Sequence, residues 1–197
     1  MSKEQIKGNI GILFLISLIV YGLSALCSAI PGVGSIAATF VLAPAFAIAQ
    51  VMIYLNLIKG IKPEIGDILK GFNHFFIAFK TTFLSGLYVF LWSLLLFVPG
   101  IIKACAYSQA MYIVAENPEI GAREAIEQSK TMMEGHKMEY FVLLLSFYGW
   151  ALLGALTLGI LYIWLIPYMQ TTFANYYNSL KPAAAAVEAT ASLEENF

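Results

Sequence analysis

Residues 8–58 read GNIGILFLISLIVYGLSALCSAIPGVGSIAATFVLAPAFAIAQVMIYLNLI, a run without a single Asp, Glu, Lys or Arg. Crossing roughly 30 Å of hydrocarbon at about 1.5 Å per helical residue takes about 20 apolar residues. This run is therefore long enough for two passes, and Pro31-Gly32-Val33-Gly34 in its middle supplies a turn between them. The same pattern recurs outward along the chain: Tyr140 is followed by no charge until Lys181, and Thr81 to Ala115 contains only Lys103. Across 197 residues, 60% are hydrophobic and 12% charged, against about 45–50% and about 25% in a soluble domain. That balance excludes an ordinary soluble enzyme, and a net charge of −1 gives no basic footprint for nucleic acid. The expected fold is all-α, an integral membrane bundle.

Cutting the charge-free runs at their turn residues predicts six transmembrane helices: Asn9–Ile30, Ser35–Ile58, Ile77–Val98, Ile101–Ala115, Met138–Leu158 and Ile160–Leu180. The fourth is the shortest and is read as short, tilted or partly re-entrant. With six passes, Lys3, Lys7, Lys59, Lys62, Lys70, Lys80, Arg123, Lys130, Lys137 and Lys181 all fall on one side, leaving Lys103 opposite. Positive charge is retained in the cytoplasm, so both termini are expected there. The first span is too long for a signal peptide core and lacks a small-x-small cleavage site, so it is expected to stay in the mature protein. Residues 1–182 read as one transmembrane domain, and the Ala- and Glu-rich residues 183–197 as a disordered or vector-derived tail.

Pro44 and Pro63-Glu64-Ile65-Gly66 recur at one common offset as Pro99 and Pro118-Glu119-Ile120-Gly121, which predicts an internal parallel repeat with amphipathic cytoplasmic segments. Pro44 and Pro167 lie inside spans, where a missing N–H frees a carbonyl and kinks the helix, whereas Pro99 is expected at a turn. The segment Asn117–Lys137 reads as a helix, with Asn117 as cap, Pro118 at the first position and Gly135 as a stop. Its acids outnumber its cations, which suits a helix lying on the membrane face or docking a protein partner better than one binding anionic lipid. Cys27 and Cys105 read as small buried hydrophobes, a disulfide requiring the first and fourth spans to touch.

Ionisable groups inside a membrane are the usual seats of function, and apart from Glu139 at the very start of the fifth span no Asp or Glu falls inside a predicted span. Proton- or sodium-coupled carriers and intramembrane proteases usually need such acids, so no catalytic residue, metal site or cofactor is expected. Lys103 is the exception: either its ammonium reaches the outer headgroups, or it holds an anion at the outer mouth with the positive end of its helix. Uncharged polar residues gather on the proline-marked second, fourth and sixth spans, among them Gln50, Asn56, Tyr107, Gln109, Gln170 and Asn175. They read either as hydrogen bonds between helices or, with Lys103, as the lining of a ligand cleft open to the cytoplasm.

Pro99-Gly100-Ile101-Ile102-Lys103, Tyr112 to Pro118, Glu124-Ala125-Ile126 with Ser129, Gly135-His136-Lys137, Leu145 to Trp150 and Trp164 to Tyr168 occur in order. Together they resemble the bacterial multi-pass membrane-protein family catalogued as domain of unknown function 975, over about Phe97 to Tyr177. The resemblance implies a plasma-membrane protein and transfers no activity. It marks Lys103, Asn117, Glu124, Ser129, Gly135, His136 and Lys137 as motif positions.

The leading functional expectation is a non-enzymatic membrane protein that binds a lipid-like or amphipathic ligand, or a protein partner, in the polar cleft. A small transporter or channel uncoupled to ions is the alternative. An intramembrane enzyme using His136 with Glu124 or Ser129 comes third. Expected partners are membrane lipids, a protein at the cytoplasmic face and a second copy of the chain, with no nucleic acid.

Overall fold

The computed structural model describes residues 9–29, 38–157, 159 and 161–194, which are helical with short connections and carry no strand. In chain order the helices are α1 Ile10–Ser28, α2 Ala43–Ile58, α3 Asp67–Asn73, α4 Phe75–Leu95, α5 Phe97–Tyr107, α6 Ala110–Glu116, α7 Ala122–Met132, α8 Lys137–Leu156 and α9 Tyr162–Glu194. A π-helical turn, Ala38–Leu42, leads into α2. Among the described residues, four helical stretches are long and apolar enough to cross a membrane: Ile10–Cys27, Phe40–Ile58, Phe75–Leu94 and Lys137–Leu156.

The other two expected spans come out differently. The fourth is broken: helix α5 stops at Tyr107, and α6 starts at Ala110 after a turn at Ser108-Gln109. The sixth lies within α9, whose polar residues from Gln170 to Asn178 dilute its hydropathy, because much of this helix packs against α1, α2 and α8. Helix α9 also runs on to Glu194 through residues expected to be disordered or vector-derived; Ala and Glu are strong helix formers.

Local sequence explains most helix ends. Pro44 takes one of the first two positions of α2 and Pro99 lies in the first turn of α5, both places where a missing N–H costs little. The turn before α5 is therefore at Leu96, which is extended (φ −159°, ψ 138°), and not at Pro99. Helix α7 begins at Ala122 and not at Pro118, because Gly121 is extended (φ −66°, ψ 141°) and resets the chain after the Pro118 turn. Gly135, at φ +80°, makes the left-handed stop before α8. Both Pro-Glu-Ile-Gly segments immediately precede a short helix, α3 and α7, each followed by a long one, α4 and α8, whereas the helix before the motif is long in the first copy and broken in the second. The Pro31–Gly34 turn lies outside the described residues.

The core centres on α2, of which 50% of the apolar window is buried, against 11% for α4 and for α8. Helix α2 packs on α3, α4, α6 and α9. Ile53, Tyr54, Leu57, Tyr112, Ile113, Val114, Ala174 and Tyr177 form its buried cluster. Gly71 of α3 sits so close to α2 that an added Cβ would lie 2.2 Å from the Ala45 carbonyl oxygen. Outward faces of α4 and α8 are apolar, with Phe76, Phe90, Leu94, Met138, Leu145, Tyr148, Leu152 and Leu156 all exposed. A contiguous apolar surface of this kind needs a partner, and lipid is the simplest one for helices of this length.

Candidate functional site

Three features stand near one another around α5 and α6: a groove, a stapled helix break and an ion cluster. The groove, about 540 Å³, runs between α5 and the start of α8 and is lined by Val98, Ile101, Ile102, Cys105, Lys137, Met138 and Phe141. The spacing of Val98, Ile101, Ile102 and Cys105 puts them on one face of α5, so the groove has an apolar wall on each side. Lys137, half-buried at the first position of α8, is the charged member of its lining. A second, smaller pocket of about 170 Å³ lies against Asn9, Leu57, Ile58, Gly60, Ile61 and Lys62.

The helix break is held by a serine twenty positions away in sequence. Interrupting a helix strands backbone donors and acceptors that water cannot reach. Buried Ser129 of α7 serves both sides: its Oγ donates to the Ala106 carbonyl (2.8 Å) and accepts the Gln109 backbone N–H (3.1 Å). Gln109 Nε2 donates to Ser108 Oγ (2.8 Å), which donates to the Cys105 carbonyl (2.8 Å). Ser129, a family-motif position and a rim candidate for the enzyme reading, is thus placed as a staple.

The ion cluster ties the ends of α2 and α6 to the middle of α9. Glu116, last residue of α6, accepts Lys59 Nζ from the end of α2 (3.1 Å), Lys181 Nζ from α9 (2.5 Å) and the Tyr177 hydroxyl (2.9 Å). Lys181 also sits over the Tyr177 ring, 4.9 Å from its centroid, and Tyr177 stacks on Tyr112 at 5.3 Å. Burial pushes the Glu116 carboxyl up, but hydrogen bonds from Lys181, Lys59 and Tyr177 outweigh it and hold the group below the usual carboxylate range. Sequence reading grouped Lys59 and Lys181 on one side of the membrane without seeing Glu116 as their meeting point.

The remaining candidates scatter. Lys103 folds its ammonium over the Trp92 ring at 4.8 Å, and Tyr107 packs beside Tyr88 at 6.0 Å, so both belong to the α4–α5 contact. Gln109 is buried at the break, while Gln50, Asn56, Gln170 and Asn175 are half-buried; Asn175 Nδ2 donates to the Thr171 carbonyl (3.0 Å). The second, fourth and sixth segments do meet, as α2, α6 and α9, but Tyr54, Tyr112, Ile113 and Tyr177 pack the space between them. At the start of α8, His136 Nδ1 lies 3.0 Å from Glu139, and the His136 carbonyl accepts the Tyr176 hydroxyl (3.1 Å). Asn117 and Glu124 are exposed, Asn117 closing the turn before α7 through its carbonyl and the Ile120 N–H. Cys27 and Cys105 are both free thiols. No group of three His, Cys, Asp or Glu able to hold a metal occurs among the described residues.

Fold and site define an all-α protein with apolar outer helices and a two-walled groove beside a broken helix. Residues 94–184, a little under half of the chain, match the family described as Protein of unknown function (DUF975), in the region where the motif order from Pro99 to Tyr168 implied it. Both walls of the groove, the staple and Glu116 lie within the matched segment. No curated protein and no solved structure matches the chain.

Proposed function

We propose that this chain is a multi-pass protein of the bacterial plasma membrane, with both termini cytoplasmic, which binds a lipid-like amphiphile without transforming it. The observation that carries the reading is the α5–α8 groove: about 540 Å³ of apolar lining with Lys137 at its edge. Aliphatic and aromatic walls take an acyl chain by burying it, worth about 0.8 kcal/mol per CH2, and a lysine at the helix start takes the polar head. Tyr54, Tyr112 and Tyr177 pack between the second, fourth and sixth segments, and we therefore assign the ligand to the outer side of α5 and not to a cleft between those segments.

Six passes remain our reading of the topology: α1, α2, α4 and α8, the broken pair α5–α6, and the first half of α9. Irregular backbone at membrane depth is tolerated where protein covers it, and Ser129 supplies that cover. We assign the cytoplasmic edge to the Lys59–Glu116–Lys181 cluster, in keeping with retained positive charge there.

Native mass spectrometry of protein released from nanodiscs tests the ligand reading. Bound lipid is expected on the natural chain and lost from Ile101→Trp, which fills the groove from α5. Lipid retention unchanged by Ile101→Trp in a folded variant would sink the site.

A further inference from the structure

We infer that the seam between α4 and the α5–α6 break is a binding site for ordered water, held by Thr81, Ser85 and Gln109. The side-chain oxygens Thr81 Oγ1, Ser85 Oγ and Gln109 Oε1 are all enclosed and have no hydrogen-bond partner in the protein. Leaving such a group unpaired costs about 1–3 kcal/mol each, so three on facing elements call for a polar occupant.

Register brings them together. Helices α4 and α5 run antiparallel, with Ser93 against Gly100, the Trp92 ring under Lys103, and Tyr88 beside Tyr107. One more turn along α4 puts Ser85 level with Gln109 and Ala110, and Thr81 lies on the same face one turn beyond, against α6. Ala78, Thr81 and Ser85 form one face of α4; Ala78 and Thr81 are fully covered, and α4 packs on α5, α6 and α7.

The hydroxyls themselves argue against a dry seam. Several other helical hydroxyls in this chain satisfy themselves on the carbonyl four residues back: Ser17 on Leu13, Ser93 on Val89, Thr131 on Glu127 and Thr171 on Pro167. Thr81 and Ser85 do not, although the carbonyls of Ile77 and Thr81 stand at the same spacing. The chemistry of the set then selects the occupant. Two hydroxyls able to donate and one amide oxygen able only to accept match water, which does both. A buried water typically makes about three hydrogen bonds, the number offered here.

An experimental structure of the whole chain in nanodiscs, at a resolution where waters are visible, tests the inference directly. Density is expected within about 2.7–3.2 Å of Gln109 Oε1 and of at least one hydroxyl. Finding all three oxygens paired with protein atoms, or an ion in the seam, would overturn it. Thr81→Val and Ser85→Ala give an independent reading through the sign of their effect. If water bridges the seam, each variant removes a water partner and lowers the melting temperature by about 2–4 °C. In a dry seam each relieves an unpaired group, so an unchanged or raised melting temperature contradicts the inference. Exchanging sodium for potassium is expected to leave the melting temperature unchanged, and a sodium-specific rise would replace water by a cation. A variant that fails to fold leaves the density measurement on the natural chain to decide.

Discussion

The two walls of the groove are made of stretches of equal reach, residues 97–116 and residues 137–156, and they treat their backbone in opposite ways. Helix α8 is continuous, and outward residues such as Leu145, Tyr148 and Leu152 are exposed, while Phe147 and Gly154 turn inward. Residues 97–116 break into α5 and α6, and Ala110 together with Tyr112 to Ala115 is buried. One wall presents an apolar surface to its surroundings; the other depends on specific side chains of the protein. That difference predicts where substitutions hurt.

The largest effect is expected from Ser129→Val. It strands the Ala106 carbonyl and the Gln109 N–H together, at about 1–3 kcal/mol each, so chemical denaturation should show a loss of about 3 kcal/mol. A loss under 1 kcal/mol would mean that the break needs no staple.

Glu116→Ala comes next, at about 2 kcal/mol, because it leaves the Tyr177 hydroxyl unpaired and removes the common partner of Lys59 and Lys181. It also carries a pH signature. A carboxyl held below its ordinary value of about 4.5 contributes stability that is present at neutral pH and lost as pH falls through the lowered value. The natural chain should therefore lose stability on acidification below about pH 4.5 more steeply than Glu116→Gln, measured as melting temperature against pH. Parallel curves would remove the ion cluster from the account.

On the continuous wall, Gly154→Ala is expected to cost about 1–2 kcal/mol by crowding. Its Cβ would meet the Tyr162 ring at 2.9 Å, and the Tyr162 hydroxyl is fixed on the Ala151 carbonyl at 2.7 Å. Leu145→Ala, facing outward, should change stability by less than about 0.5 kcal/mol. Equal costs for Leu145→Ala and Ser129→Val would erase the contrast between the walls.

The same contrast decided what could be read in the sequence. Helix α8 was legible because Tyr140 to Leu158 is a charge-free, largely apolar run shortly after a Gly135 stop. The break at Ser108-Gln109 was not, since neither residue forbids a helix and the partner that stabilises the interruption, Ser129, is placed only by tertiary packing. Pro99 misled for a related reason: a proline after a Leu-rich run reads as a turn, yet the first turn of a helix accommodates it. Charge counting put residues 59, 116–137 and 181 on one side, and the Lys59–Glu116–Lys181 contacts bring those segments together. The polar residues of the second, fourth and sixth segments suggested a cleft because spacing reveals a shared face without revealing what fills it. Here Tyr112 and Tyr177 do.

The central claim is that the α5–α8 groove holds an acyl chain more closely than the rest of the apolar surface does. Photo-crosslinking with a phospholipid carrying a diazirine in its acyl chain measures this most directly. The account predicts labelling concentrated on residues 98–105 and 138–141, above that on the equally exposed Phe90, Leu145 and Leu152. Labelling spread evenly along the outward faces of α4 and α8, with no enrichment in the groove, would contradict it.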